Sequence, residues 1–234
     1  MKIAITGGTG FVGRYLVRDL TNDGHHIVLI ARGEDRRDQA VRQLPDVEFV
    51  ATGTDDTDRL AQAFTGCASV AHCAGINREI GFQTYQRVHV QGTQNIIVAA
   101  KRVGVQKIVL LSFLHARPAC GSPYHETKWQ AEELIRGSGL DYTIVKAGMI
   151  YGKGDHLLDH LSHTLRTVPI FASVGLRERT VRPVAGEDVV TVLRVALVKN
   201  RLSRSRRSVC CPKGLARHWP MQSCYHQICN QRTS

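Results

Sequence analysis

Tyr124 and Lys128 stand four residues apart in the run Pro123-Tyr124-His125-Glu126-Thr127-Lys128. On a helix this spacing puts the phenol and the ammonium on one face. A neighbouring positive charge favours the phenolate, so Tyr124 is expected to exchange a proton nearer neutral pH than a free phenol does. Ser112, at the end of an apolar run upstream, offers a hydroxyl to hold a carbonyl or alcohol oxygen. The plainer reading of Tyr124 and Lys128 is an ordinary solvated helix pair.

These groups need a scaffold, and the N-terminus supplies its first unit. Lys2-Ile3-Ala4-Ile5 favours a strand, and Tyr15, Leu16, Val17 and Leu20 recur at helical spacing until Asn22-Asp23-Gly24. Between them lies Thr6-Gly7-Gly8-Thr9-Gly10-Phe11-Val12-Gly13. Gly7 suits the tight turn, Gly10 a close approach of backbone, and Gly13 close packing of helix on strand. The free amides at the helix start face an anion, of which a pyrophosphate is the usual one. Gly7, Thr9, Gly10, Phe11, Val12 and Gly13 are therefore the expected dinucleotide-binding residues.

Further strands follow at 26–31, 47–51, 69–72, 107–112 and 141–146, alternating with helices that include a long one over 82–103 and others beginning near 122 and 186. This pattern predicts an α/β fold, a doubly wound parallel sheet with helices on both faces. Arg32, with Arg36 and Arg37, stands just past the second strand, where an acid would select NAD; arginines there pair with a 2′-phosphate or form a solvated helix start. In Asp55-Asp56-Thr57-Asp58, capping accounts for Thr57 or Asp58, leaving Asp55 or Asp56 for the adenine amino group or for turn chemistry. Cys73-Ala74-Gly75 is small enough to let a cofactor lie across the end of the fourth strand, and His72 reads as a packed core histidine.

The formal charge of +11 is concentrated in the tail: residues 200–234 hold seven Lys or Arg and no acid, which leaves +4 for the first 199. That argues against nucleic acid as a partner. The start carries no signal-peptide apolar region and no run is long enough to span a bilayer, so a cytoplasmic location is expected. The seven cysteines lack framework spacing and read as thiols. No metal site is expected: His156, His160 and His163 lack a water-activating partner, and Cys210, Cys211, Cys224, His226 and Cys229 have poor ligand spacing.

The glycine motif, His72-Cys73-Ala74-Gly75 and Tyr124-xxx-Lys128, in this order, resemble the short-chain dehydrogenase/reductase superfamily. The TGGTGFVG form and Lys146-Ala147-Gly148-Met149-Ile150-Tyr151-Gly152 resemble its extended and atypical branches: NAD(P)-dependent epimerases and dehydratases, NmrA-like proteins and, most closely, relatives of the nucleotide-binding accessory subunit of respiratory complex I. The resemblance implies a Rossmann-type fold and gives Tyr124 proton transfer, Lys128 the nicotinamide ribose, Ser112 the substrate oxygen, and Ala147 and Gly148 a place near the nicotinamide. The sequence departs from the family at His89, where Asn is usual, at Phe113 and Leu114, where some relatives carry hydroxyls, and at Ala147, where Pro is usual.

The expected molecule is an NAD(P)-binding protein, with NADP preferred. It moves hydride between the nicotinamide and a small carbonyl or alcohol substrate, or else serves as a non-catalytic redox sensor or assembly subunit. Residues 1–199 form the cofactor-binding unit, with partial substrate elements from about 150. The basic, Cys-rich 200–234, without helical or strand periodicity, reads as a truncated or out-of-frame replacement of the usual substrate segment. A homodimer through the helices at 82–103 and 122–136 is expected from the resemblance.

Overall fold

Ile3, Ala4 and Ile5 are apolar in succession, as a strand covered on both faces requires, and all three are fully buried in β1 (Lys2–Thr6). The computed structural model describes residues 1–33, 39–155, 167 and 183–198, together with the backbone of 205–209. After β1 come α1 (Phe11–Asn22), β2 (His26–Ala31), a 3-10 turn (Gln39–Gln43), β3 (Val47–Ala51), α2 (Thr57–Phe64) and β4 (Ser69–His72). A π-helical turn (Gln86–Gln91) leads into α3 (Gly92–Arg102), followed by β5 (Lys107–Phe113), α4 (Pro123–Arg136), β6 (Asp141–Ala147) and β7 (Met149–Tyr151). The last elements are β8 (Pro183–Ala185), α5 (Gly186–Val198) and β9 (Ser205–Val209).

Seven strands make one parallel sheet in the order β3-β2-β1-β4-β5-β6-β9, and β7 pairs with β8 separately. This is the doubly wound α/β fold expected from the alternation. Alternate residues of each strand feed two cores: Ile3, Ile5, Ile27 and Leu29 pack with α1 and α5, while Ala4, Val28 and Ile30 pack with α2, α3 and α4. Thr6 pairs with both Ile30 and His72, which levels the ends of β1, β2 and β4 and leaves a crevice where the strand order reverses.

Several expectations are corrected. The helix placed over 82–103 starts at Tyr85; Ile80 and Gln83 instead close a tight turn by paired backbone hydrogen bonds, with Gly81 at φ 55°. The cap of α2 is Asp56, whose carboxylate accepts from the Arg59 amide at 2.9 Å, whereas Asp58 pairs with Arg102. Residues 205–209 form β9 against β6, although the sequence there has no strand periodicity: pairing with the edge of β6 provides the register. His156, His160 and His163 and the tail cysteines lie outside the described residues, as do Arg36 and Arg37.

Beneath the ends of β5 and β6 lies a buried ionic cluster with no local sequence signature. Glu132 is fully buried and Lys146 is 1% exposed, with Nζ 2.9 Å from Glu132 Oε1 and donating to the Ala116 carbonyl at 2.8 Å. Arg136 donates to the other carboxylate oxygen at 2.8 Å, and the Ser112 hydroxyl donates to Oε1 at 2.6 Å. Removing one partner of such a set strands a charge in the interior. Glu132→Ala is expected to cost about 3–5 kcal/mol in urea denaturation. Glu133→Ala, which breaks only an exposed pair with Arg136, should cost less than about 1 kcal/mol.

Candidate functional site

Gly7 turns the chain out of β1 with φ 72°, and its amide donates to the Ile30 carbonyl at 2.9 Å. A Cβ at Gly7 would lie 2.7 Å from the backbone of Ala74, and one at Gly13 would lie 2.2 Å from the Gly7 carbonyl oxygen. Each glycine is thus required by a neighbouring backbone rather than by flexibility alone. Gly10 is the N-cap of α1 and no side chain caps the helix, so the first-turn amides from Phe11 to Gly13 are offered to the crevice. Thr9 is buried within the turn.

Around this turn the structure gathers most of the expected cofactor residues. Cys73, Ala74 and Gly75 run from the end of β4 across the crevice, with Ala74 packed on Gly7. Arg32 follows β2 and is exposed; Gly53 lies between it and Asp55, a Cβ there falling 3.7 Å from Arg32 and 2.2 Å from the Asp55 carboxylate. Since Asp56 caps α2, Asp55 is the acid left at this strand end. Ala147 and Gly148 are buried where β6 ends, and the Ala147 carbonyl accepts from the Leu114 amide at 2.8 Å. A tight glycine cradle, uncapped amides and a basic strand end fit a dinucleotide.

Lys128 and Tyr124 occupy the first turns of α4, which Pro123 starts and which Glu126 anchors by accepting from the Cys120 and Gly121 amides, each at 2.8 Å. The Lys128 side chain is buried and reaches the end of β4: a Cβ on Gly75 would sit 3.0 Å from Nζ. Burial pulls its ammonium down to about 8, against the pull of Cys73 and Glu132. The expected lowering of Tyr124 is reversed. Its ring is packed edge-on against Tyr85, His89, Phe113 and His125, with centroids 5.5 to 5.7 Å away. Burial and then Tyr85 push the phenol up to about 12, so it is held protonated. Lys128 Nζ donates instead toward the Leu111 carbonyl at 3.5 Å.

Ser112 is engaged within the protein. Its hydroxyl donates to Glu132, farther along α4 than Tyr124, and Phe113 is the β5 residue whose ring meets the phenol ring.

The sequence reading missed a buried chain of polar groups joining the glycine turn to α4. Thr6 Oγ1 lies 2.9 Å from His72 Nδ1, His72 Nε2 lies 3.1 Å from Thr93 Oγ1, and the Thr93 hydroxyl donates to the His89 carbonyl at 2.5 Å. The Ile76 amide donates to His89 Nε2 at 3.3 Å, which places the ring hydrogen on Nδ1, facing Thr127 Oγ1 at 3.0 Å. Thr127 in turn donates to the Pro123 carbonyl at 2.7 Å. Burial first, and then Lys128, lower both His72 and His89 to about 3, so both rings are neutral. His89, which departs from the family's Asn, thus acts as a clamp between the strand-end loop and α4. Its spacing from Thr93, four residues on one helix face, was the available signal.

These shifts predict a pH dependence. Folded Lys128 holds fewer protons than the unfolded side chain between about pH 8 and its ordinary value of 10.5, so its contribution to stability rises with pH across that window. Urea denaturation from pH 7.5 to 10.5 is expected to show wild-type stability gaining relative to Lys128→Met over that range.

Among the described residues, no helix is long and apolar enough to cross a membrane, and no cluster of three or more His, Cys, Asp or Glu side chains could hold a metal.

A Caulobacter vibrioides ceramide reductase is 35% identical over 158 residues, covering 65% of this chain and 47% of that protein. The Synechocystis photosystem II assembly factor Ycf39 is 29% identical over 153 residues, covering 65% of this chain and 46% of that protein. An uncharacterized Mycobacterium tuberculosis protein is 28% identical over 198 residues, covering 85% of this chain but 20% of its own length. The chain therefore spans less than half the length of each. The fold matches UDP-glucuronic acid 4-epimerase from Bacillus cereus, solved with NAD, at a TM-score of 0.78 and 21% identity, over 91% of this chain and 78% of that one. The resemblance to extended short-chain dehydrogenase/reductases stands on this shared architecture and on the motifs. A family model described as NAD(P)H-binding matches residues 7–163, which hold the glycine turn, the end of β4 and Tyr124 with Lys128, and the chain belongs to that NAD(P)H-binding family.

Proposed function

We propose that this protein is an NAD(P)-dependent oxidoreductase or epimerase of the short-chain dehydrogenase type, acting on a small carbonyl or alcohol substrate. The observation that carries the reading is the reach of Lys128 Nζ to Gly75, beside the crevice that the glycine turn opens. Bound there, the cofactor supplies or accepts hydride at C4 of its nicotinamide. Lys128 holds the ribose, Ala147 and Gly148 border the nicotinamide, and Tyr124 transfers the proton to or from the substrate oxygen. A phenol kept protonated is a donor, which favours carbonyl reduction. Arg32 pairs with a 2′-phosphate and Asp55 with the adenine amino group, making NADP the preferred cofactor. Residues 1–199 serve as the cofactor-binding unit, with substrate elements from about 150, and 200–234 as its basic tail. Two copies pair through α3 and α4.

A second reading is a non-catalytic NAD(P)H-binding module. Two observations favour it: Ser112 is spent on Glu132, and both nitrogens of His89 are committed within the protein. The Ycf39 relative is an assembly factor.

Tyr124→Phe separates the two. The enzyme reading predicts a loss of turnover of about 10²- to 10⁴-fold with cofactor affinity nearly intact; the binding-module reading predicts no turnover of any carbonyl before or after the change. Arg32→Asp is expected to reverse a preference for NADPH over NADH in calorimetric titration. An unchanged preference would remove Arg32 from the site.

A further inference from the structure

Six rings converge at the end of β5. Phe113 stacks on His125 with centroids 5.2 Å apart and planes 12° from parallel, and His115 meets both at 5.9 and 6.3 Å. Tyr124 stands edge-on to Phe113 and His125, and also to Tyr85 and His89, which stack on each other at 5.5 Å. Several polar atoms on the residues bonded to or packed on Tyr124 are already engaged. Tyr85 donates its hydroxyl to the Asn77 carbonyl at 2.9 Å, His89 is bonded through both nitrogens, and Thr127 donates to Pro123. The Phe113 ring meets Tyr124 edge-on, and the Ser112 hydroxyl is donated to Glu132.

A sugar presents a hydroxyl on nearly every carbon, and each one that is buried needs a partner. On this wall the Tyr85 hydroxyl and both His89 nitrogens are committed, which leaves the Tyr124 hydroxyl and the His115 and His125 imidazoles as the polar groups of the six rings. The wall offers ring faces and edges, to which a flat π-system binds by offset or edge-to-face contact. We infer that the substrate is a planar aromatic or conjugated carbonyl compound, seated against Phe113 and Tyr85 with its oxygen at the Tyr124 hydroxyl, and not a sugar nucleotide. The inference rests on the oxidoreductase reading of the same site. In the reaction, hydride from the reduced cofactor forms the new C–H bond at the carbonyl carbon. The C=O π pair moves to oxygen, which takes the Tyr124 proton; the carbonyl is reduced to an alcohol and the cofactor oxidised.

The test uses the full chain saturated with NADPH, with 2-naphthaldehyde and UDP-glucose titrated separately by calorimetry at a temperature where turnover is negligible, and NADPH binding itself measured first. Wild type is expected to bind the naphthaldehyde at least tenfold more tightly than UDP-glucose. Phe113→Leu, which keeps apolar bulk and removes the ring, is expected to weaken the naphthaldehyde about threefold to tenfold and to leave NADPH affinity unchanged. His125→Ala, on the half-buried partner ring, gives an independent variant with the same expectation. Tighter binding of UDP-glucose, or naphthaldehyde affinity indifferent to both variants while NADPH still binds, would overturn the inference and leave the oxidoreductase reading standing. Failure of NADPH to bind would overturn both.

Discussion

The close approach of two backbones is the constraint on which the site depends. β1 and β4 are hydrogen-bonded neighbours, so a chain leaving β1 must turn across the end of β4 at once. Gly7 does this in a left-handed conformation, with no room for a Cβ against Ala74. Gly13 then lets α1 settle on that same turn. Without these two contacts the first-turn amides of α1 would not face the crevice, and the dipole of the helix would point elsewhere. The same geometry brings Gly75 beneath the Lys128 ammonium, so cofactor crevice and proton-transfer pair share one support.

Burial, more than charge, sets the chemistry of the groups at that support. The phenol of Tyr124, the ammonium of Lys128 and the imidazoles of His72 and His89 are all shifted toward their neutral forms. A neutral histidine can be bonded on both sides with a fixed tautomer, and that is how Thr6, His72, Thr93, His89 and Thr127 tie the glycine turn to α4. The chain of bonds ties the crevice to the helix that carries Tyr124 through uncharged groups alone. Farther along α4, Glu132 meets Lys146 and Arg136 in a buried ionic cluster.

Much of this was legible in the sequence because it is encoded by local pattern. Glycine spacing, apolar runs bounded by turns and the four-residue interval of Tyr124 and Lys128 each reflect a geometry only a few residues long. What depends on facing was less so. Ser112 and Phe113 are adjacent, and alternation says that they point to opposite sides; which side holds the crevice follows from how the helices wind about the sheet. The Glu132–Lys146 pair joins a helix to a strand and leaves no periodic trace. Tyr124 was read from its partner at i+4, whereas its environment is set by Tyr85, His89 and Phe113, which come from other elements.

The most direct measurement is a calorimetric titration of NADPH into the wild-type chain and into Gly10→Val. A Cβ at Gly10 would stand 3.1 Å from the Gly7 carbonyl, close enough to crowd the turn and still leave the sheet intact. The account predicts saturable binding at one site in the wild type and its loss in a variant whose circular dichroism and unfolding midpoint match the wild type. Equal NADPH affinity in the two proteins would show that the dinucleotide does not lie on the glycine turn, and the assignment of the crevice would fall with it.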